Sequence, residues 1–170
     1  NTSFFNRDIM TSVFGMKGQQ KSWYSEISYS NKSLRHHWVA GINFNGEQFN
    51  KRGIDSSYIS NTAFTTAGVF MQDDWKIASP LTIQSGLRID QHNQYGSFVL
   101  PRFSIMYKLN NRLTMRMGAG KGYKTPSIFN SEMDERDYKY LLGMSKQIMS
   151  EKSTGTNFDI NYKRRVNGWD

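Results

Sequence analysis

The 170-residue sequence predicts an all-β fold: about eight antiparallel strands forming the wall of a transmembrane β-barrel. Three observations carry that expectation. Apolar and polar residues alternate with a period of two over most of the chain, the spacing at which successive side chains fall on opposite faces of a strand. Several of these segments run to about ten residues, the length a tilted strand needs to cross a bilayer and more than soluble sheets usually show. Aromatic residues reach 14% in a chain that is only 37% hydrophobic, with a mean hydropathy of −0.66. Elements apolar on one face and polar on the other, with rings at their boundaries, have that composition.

Taken in order, residues 2–6 read as the end of a first strand. Trp23, Ile27 and Tyr29 then oppose Glu26, Ser28 and Ser30, and Trp38, Ala40, Ile42 and Phe44 oppose Gly41, Asn43 and Asn45. In a fourth segment Ala67, Val69, Met71 and Trp75 oppose Gly68, Gln72, Asp74 and Lys76, with Phe64 and Phe70 breaking the alternation. Leu81, Ile83, Ser85, Leu87 and Ile89 oppose Thr82, Gln84, Gly86, Arg88 and Asp90. Val99, Pro101, Phe103, Ile105, Tyr107 and Leu109 oppose Arg102, Ser104 and Lys108. After the turn signal Asn110-Asn111, Leu113, Met115, Met117 and Ala119 oppose Thr114, Arg116, Gly118, Gly120 and Gly122. Phe158, Ile160 and Tyr162 finally oppose Asn157, Asp159, Asn161 and Lys163. Short turns at 30–32, 78–80, 110–111 and 165–168 alternate with longer connections at 10–21, 48–61 and 123–150, as short periplasmic turns alternate with longer external loops in membrane barrels. The short turn at 93–97 has the parity of an external one.

Other classes fit poorly. The stretch GAGKGYKTPS (residues 118–127) suggests a phosphate loop, but a Walker loop opening at Gly118 needs glycine where Tyr123 stands, and the dinucleotide pattern fails as well. Its glycines recur every second residue, so they line one face of a strand. The formal charge of +8 comes from Lys and Arg scattered through strands and turns, without the basic face that nucleic acid requires. The chain has no cysteine, no run of 18 apolar residues and no G-x-S-x-G nucleophile, so nothing in it supports an enzyme.

The segments FMQDDWKI (70–77), SGLRID (85–90), LPRFSIMYKL (100–109) and RLTMRMGAGKGYKTPSI (112–128) follow one another as in the barrels of TonB-dependent outer-membrane receptors. Over residues 12–165 the chain resembles the receptors of Bacteroidetes-like bacteria. The resemblance implies a 22-stranded barrel in the bacterial cell outer membrane, closed by its own plug domain. It further implies proton-motive uptake through TonB, engaged by a segment not present here. The implied cargo is a small-molecule metal chelate, most often a ferric siderophore or other iron complex, or cobalamin. No plug domain, TonB box or terminal aromatic strand is found in residues 1–170, so the whole reads as part of one barrel domain, about a third of it. Such a piece, with two open strand edges, is not expected to transport alone. The competing expectation is a self-contained eight-stranded outer-membrane barrel with a structural or adhesion role.

Candidate site residues fall in two groups. Residues 124–150 read as a long extracellular loop holding Glu132, Asp134, Glu135 and Asp137; with His92 at the mouth, these are the candidates for substrate contact. The same carboxylates suit a solvated face, and Ser131 with Asp134 resembles the capped start of a short helix. Arg88, Asp90, Arg102, Arg116, Gly118, Gly120 and Gly122 share the polar face and read as facing the lumen and the plug, the arginines holding the wall by cross-strand charge. His36-His37 is no metal pair, because adjacent strand residues point to opposite sides. No metal and no cofactor are expected.

Overall fold

The computed structural model describes residues 1–10, 17–52, 61–126 and 149–163. These form one antiparallel sheet in sequence order: β1 (Thr2–Met10), β2 (Lys17–Lys32), β3 (His36–Arg52), β4 (Thr62–Lys76), β5 (Leu81–His92), β6 (Gly96–Lys108), β7 (Leu113–Lys124) and β8 (Glu151–Tyr162). Each strand pairs with its sequence neighbours, and no pairing joins β1 to β8 among the described residues. The sheet is therefore open, and the eight strands do not form the closed barrel of the competing expectation.

Register turns the alternation into two faces. Ile27 lies opposite Ile42, Ile42 opposite Val69, Val69 opposite Ile89 and Ile89 opposite Val99, one apolar row across five strands. The row of Glu26, Asn43, Gly68, Asp90 and Phe98 runs along the other face. The apolar face is uncovered: Ile27 is 72% exposed, Phe158 65% and Met117 63%. Phe49 and Phe98 are the buried hydrophobic side chains among the described residues, and both belong to the polar face. A sheet in water would invert this distribution, since apolar side chains gain by leaving water; a sheet whose outer solvent is lipid keeps it. Tyr29, Trp38, Trp75, Tyr107 and Tyr162 stand on the apolar face toward the tight turns, where a membrane interface places its aromatic girdle.

Two expectations about boundaries are corrected. The first strand runs to Met10 instead of ending near residue 6, and β2 and β3 extend into the supposed connections, paired from Lys17–Arg52 onward. These ends carry few apolar residues, so alternation fades while backbone pairing continues. The interruptions at Phe64 and Phe70 also have a cause: both lie on the polar face, where Phe70 covers Gly41. A Cβ on Gly41 would stand 2.6 Å from Phe70 Cζ and from the Ile27 carbonyl oxygen.

Tight turns are built by side chains. Asn110 Oδ1 accepts from the Arg112 and Leu113 amides at 2.8 and 2.9 Å. At the β5–β6 turn Asn93 continues the ladder onto β4, donating to Ala63 O and accepting from Thr65 N at 3.0 and 3.2 Å. Gly96 closes that turn at φ 79°, a conformation that favours glycine.

Candidate functional site

The polar face carries a buried node at the end of the sheet away from the tight β2–β3, β4–β5 and β6–β7 turns. Asp90 is 2% exposed, and Arg88, two residues earlier on the same face, donates from Nε to its two oxygens at 2.8 and 3.0 Å. Tyr123 donates its hydroxyl to Asp90 Oδ2 at 2.9 Å. A carboxylate this deeply buried is stable as an anion only with such partners. Asn43, 1% exposed, lies beside it across Gly68, and the space between them exists because Gly68 has no side chain. A Cβ there would stand 2.3 Å from both Asn43 Oδ1 and Asp90 Oδ1.

Tyr123 reaches this node against its parity. Odd positions of β7, such as Met117, belong to the apolar face, yet the Tyr123 ring stacks on Phe98 of the polar face, with centroids 3.7 Å apart and planes 4° from parallel. The ladder explains the departure. Pairing between β6 and β7 ends at Arg102–Gly120, whereas pairing of β7 with β8 continues to Lys124–Glu151. Above Gly120 the last turn of β7 leaves β6, and the Phe98–Tyr123 stack with the bond to Asp90 replaces the missing ladder. Replacing Tyr123 with Phe keeps the stack and removes the hydrogen bond to a buried anion, an expected loss of about 1.5–3 kcal/mol. Chemical unfolding of the full-length protein in detergent checks this; an unchanged midpoint would mean the bond contributes nothing.

The parted strands leave a cleft of about 350 Å³, lined by Ser97, Phe98, Lys121, Tyr123, Lys152 and Ser153 among others. Neither lysine has an ion-pair partner among the described residues. Two free ammonium groups, hydroxyls and a stacked aromatic wall make a site for an anion with flat, partly apolar surfaces.

The sequence candidates are distributed unevenly around this site. Arg88 and Asp90 come together in the node. Arg102 and Arg116 share the polar face but not the node: Arg102 lies opposite Gly86 and Gly120, and Arg116 opposite Asp159, its Nη2 3.5 Å from Met106 Sδ. The expected charge ladder is broken because Arg88 and Asp90 face Leu100 and Phe98 on β6. Gly118, Gly120 and Gly122 follow one another on β7, but neighbours occupy part of the space above them: a Cβ would meet Asn157 Oδ1 at 2.7 Å, Pro101 O at 3.4 Å and Ser153 Oγ at 3.0 Å respectively.

His92 is 3% exposed and works within the turn, its Nδ1 accepting from the Gln94 and Tyr95 amides at 3.1 and 3.3 Å. Its ring packs between Phe64 and Tyr95, and burial pushes the Tyr95 phenol above its ordinary range. Glu132, Asp134, Glu135 and Asp137, like most of the expected loop at 124–150, lie outside the described residues. Tyr123, Asn43, Lys121 and Lys152 were not legible as site residues. The available signal was Lys121, a charge following Met117 and Ala119 at apolar-face spacing.

Comparison with known proteins accounts for this architecture. A family model described as TonB dependent receptor-like, beta-barrel matches residues 1–169. The probable TonB-dependent siderophore receptor PirA of Acinetobacter baumannii is 32% identical over 65 residues, 38% of this chain and 9% of that protein. The ferrienterobactin receptor of Escherichia coli strain K12 is 24% identical over 113 residues, 59% of this chain and 15% of that one. Among solved structures, the siderophore receptor PirA from Pseudomonas aeruginosa superposes with a TM-score of 0.70 at 19% identity, covering 91% of this chain and 30% of that chain. That likeness concerns the fold, and the sheet corresponds to a minor part of a much longer barrel chain.

Proposed function

Since the chain belongs to the TonB dependent receptor-like β-barrel family, we propose that it is a wall segment of a receptor that takes up a ferric siderophore across the bacterial outer membrane. The cleft between β6 and β7 carries this reading: Lys121 and Lys152 offer positive charge beside the Phe98–Tyr123 stack, where an anionic, ring-bearing iron chelate fits. The relatives named above, siderophore and ferrienterobactin receptors, support the same cargo. Cobalamin finds no comparable support, because the cleft selects for negative charge. A Bacteroidetes-like source rests on the motif resemblance alone.

In this reading the apolar face meets outer-membrane lipid and the polar face meets the lumen and the receptor's own plug domain. TonB acts through a segment outside this sequence and supplies the work of transport. The wall contributes no bond-making chemistry. Its residues hold the chelate near the mouth, with Asp90 and Arg88 anchoring Tyr123 so that the cleft keeps its shape. His92 contributes by holding the β5–β6 turn, and the carboxylates at 132–137 remain candidates for contact from the loop.

The test is a deletion of the full-length gene, complemented by the intact receptor and grown under iron limitation with labelled ferric siderophore or labelled cobalamin. Iron uptake restored only by the intact receptor is the expected result. Restoration of cobalamin uptake instead, or of neither, would overturn the assignment.

A further inference from the structure

The apolar face carries a carboxylate that transport does not use. Asp73 of β4 lies on that face, opposite Trp38 of β3 and Ser85 of β5. One of its oxygens, Oδ2, is 2.7 Å from Nδ1 of His36, whose ring stacks on Trp75 with centroids 5.6 Å apart. The other, Oδ1, is buried and has no hydrogen-bond partner. An ionised carboxylate only accepts, so this oxygen calls for a donor, and a positive one offsets its charge best.

A groove of about 480 Å³, with Asp73 in its lining, runs between β4 and β5, walled by Val69, Met71, Leu87 and Ile89. It exists because Ser85, at the position beside Asp73, is small where its neighbours Ile83 and Leu87 are bulky. Trp38 and Trp75 place Asp73 at the level of the aromatic girdle, where lipid headgroups begin. A carboxylate oxygen at headgroup depth above an apolar groove is complementary to one kind of molecule: an apolar chain ending in a protonated primary amine.

We propose that this face binds an amine-bearing phospholipid of the phosphatidylethanolamine class from the periplasmic leaflet, with an acyl chain between Val69–Met71 and Leu87–Ile89 and the ammonium against the Asp73 carboxylate, whose side chain is 29% exposed. The leaflet rests on the reading that the tight turns are periplasmic; the headgroup chemistry does not.

The test uses the full-length receptor in nanodiscs of phosphatidylethanolamine mixed equally with phosphatidylcholine, which has the same net charge but no N–H donor. Native mass spectrometry after detergent release reads the lipid retained. The expected result is about tenfold enrichment of phosphatidylethanolamine, reduced to parity by Asp73→Leu and by Ser85→Leu, which fills the groove but leaves the carboxylate. Equal retention by the intact receptor, or enrichment that survives both variants, would overturn the proposal. If Asp73→Leu does not assemble, Ser85→Leu decides alone. Ferric siderophore binding measured on the same samples separates the two readings: its absence counts against the uptake assignment and leaves the lipid comparison intact.

Discussion

Replacing Gly68 with Ala is expected to destabilise the full-length receptor by about 3 kcal/mol, far more than a methyl group usually costs on a strand. The new Cβ would stand 2.3 Å from Asn43 Oδ1 and from Asp90 Oδ1, and both side chains are almost fully buried. Neither can yield without loss. Asn43 is enclosed at 1% exposure, and moving Asp90 breaks its bonds to Arg88 and Tyr123 while leaving its charge in place. Gly155→Ala is the matched control, since nothing lies within 4 Å of a Cβ at that position. Unfolding midpoints in detergent compare the two variants; equal midpoints would show that the node has slack the geometry denies. Because Tyr123 hangs from Asp90, Gly68→Ala is also expected to weaken ligand binding in the cleft.

Reversing charge at both Lys121 and Lys152 is the second large effect. In the reading proposed above, a Lys121→Glu, Lys152→Glu receptor binds ferric siderophore about a hundredfold more weakly, and the neutral Gln pair about tenfold, each tenfold step being about 1.4 kcal/mol. Both lysines are exposed and unpaired among the described residues, so stability should hardly change. Added salt should weaken wild-type binding and have less effect on the Gln pair, because screening acts on the charge that the substitution removes. Titration of the purified variants with ferric siderophore measures all of this. Binding unaltered by charge reversal would move the ligand site away from the cleft.

The fold was legible to the level of individual faces. Leu81 through Ile89 alternates so cleanly that its lipid and lumen sides follow from the strand period, and the register with β6 sets Ile83 opposite Ile105, Leu87 opposite Pro101 and Ile89 opposite Val99. The ends were less legible. Gly18 to Lys21 and Gln48 to Arg52 contain too little apolar residue to alternate, yet they continue the ladder. The candidate site was legible only in part. Arg88 and Asp90 were singled out and do meet, because two positions along a strand share a face. Tyr123 is not legible, because strand parity fails where a strand loses one neighbour while keeping the other.

The sequence by itself determined the strand count, the two faces and the family, because a period of two is a local property that every ladder preserves. Only the tertiary structure decided where β7 parts from β6, that Tyr123 crosses to Asp90, that Gly68 is the gap between two buried polar side chains, and that Asp73, with one oxygen left without a partner, lines an apolar groove. These depend on residues brought together from distant strands, 33 positions apart for Tyr123 and Asp90 and 37 for Asp73 and His36, and no local periodicity carries that information.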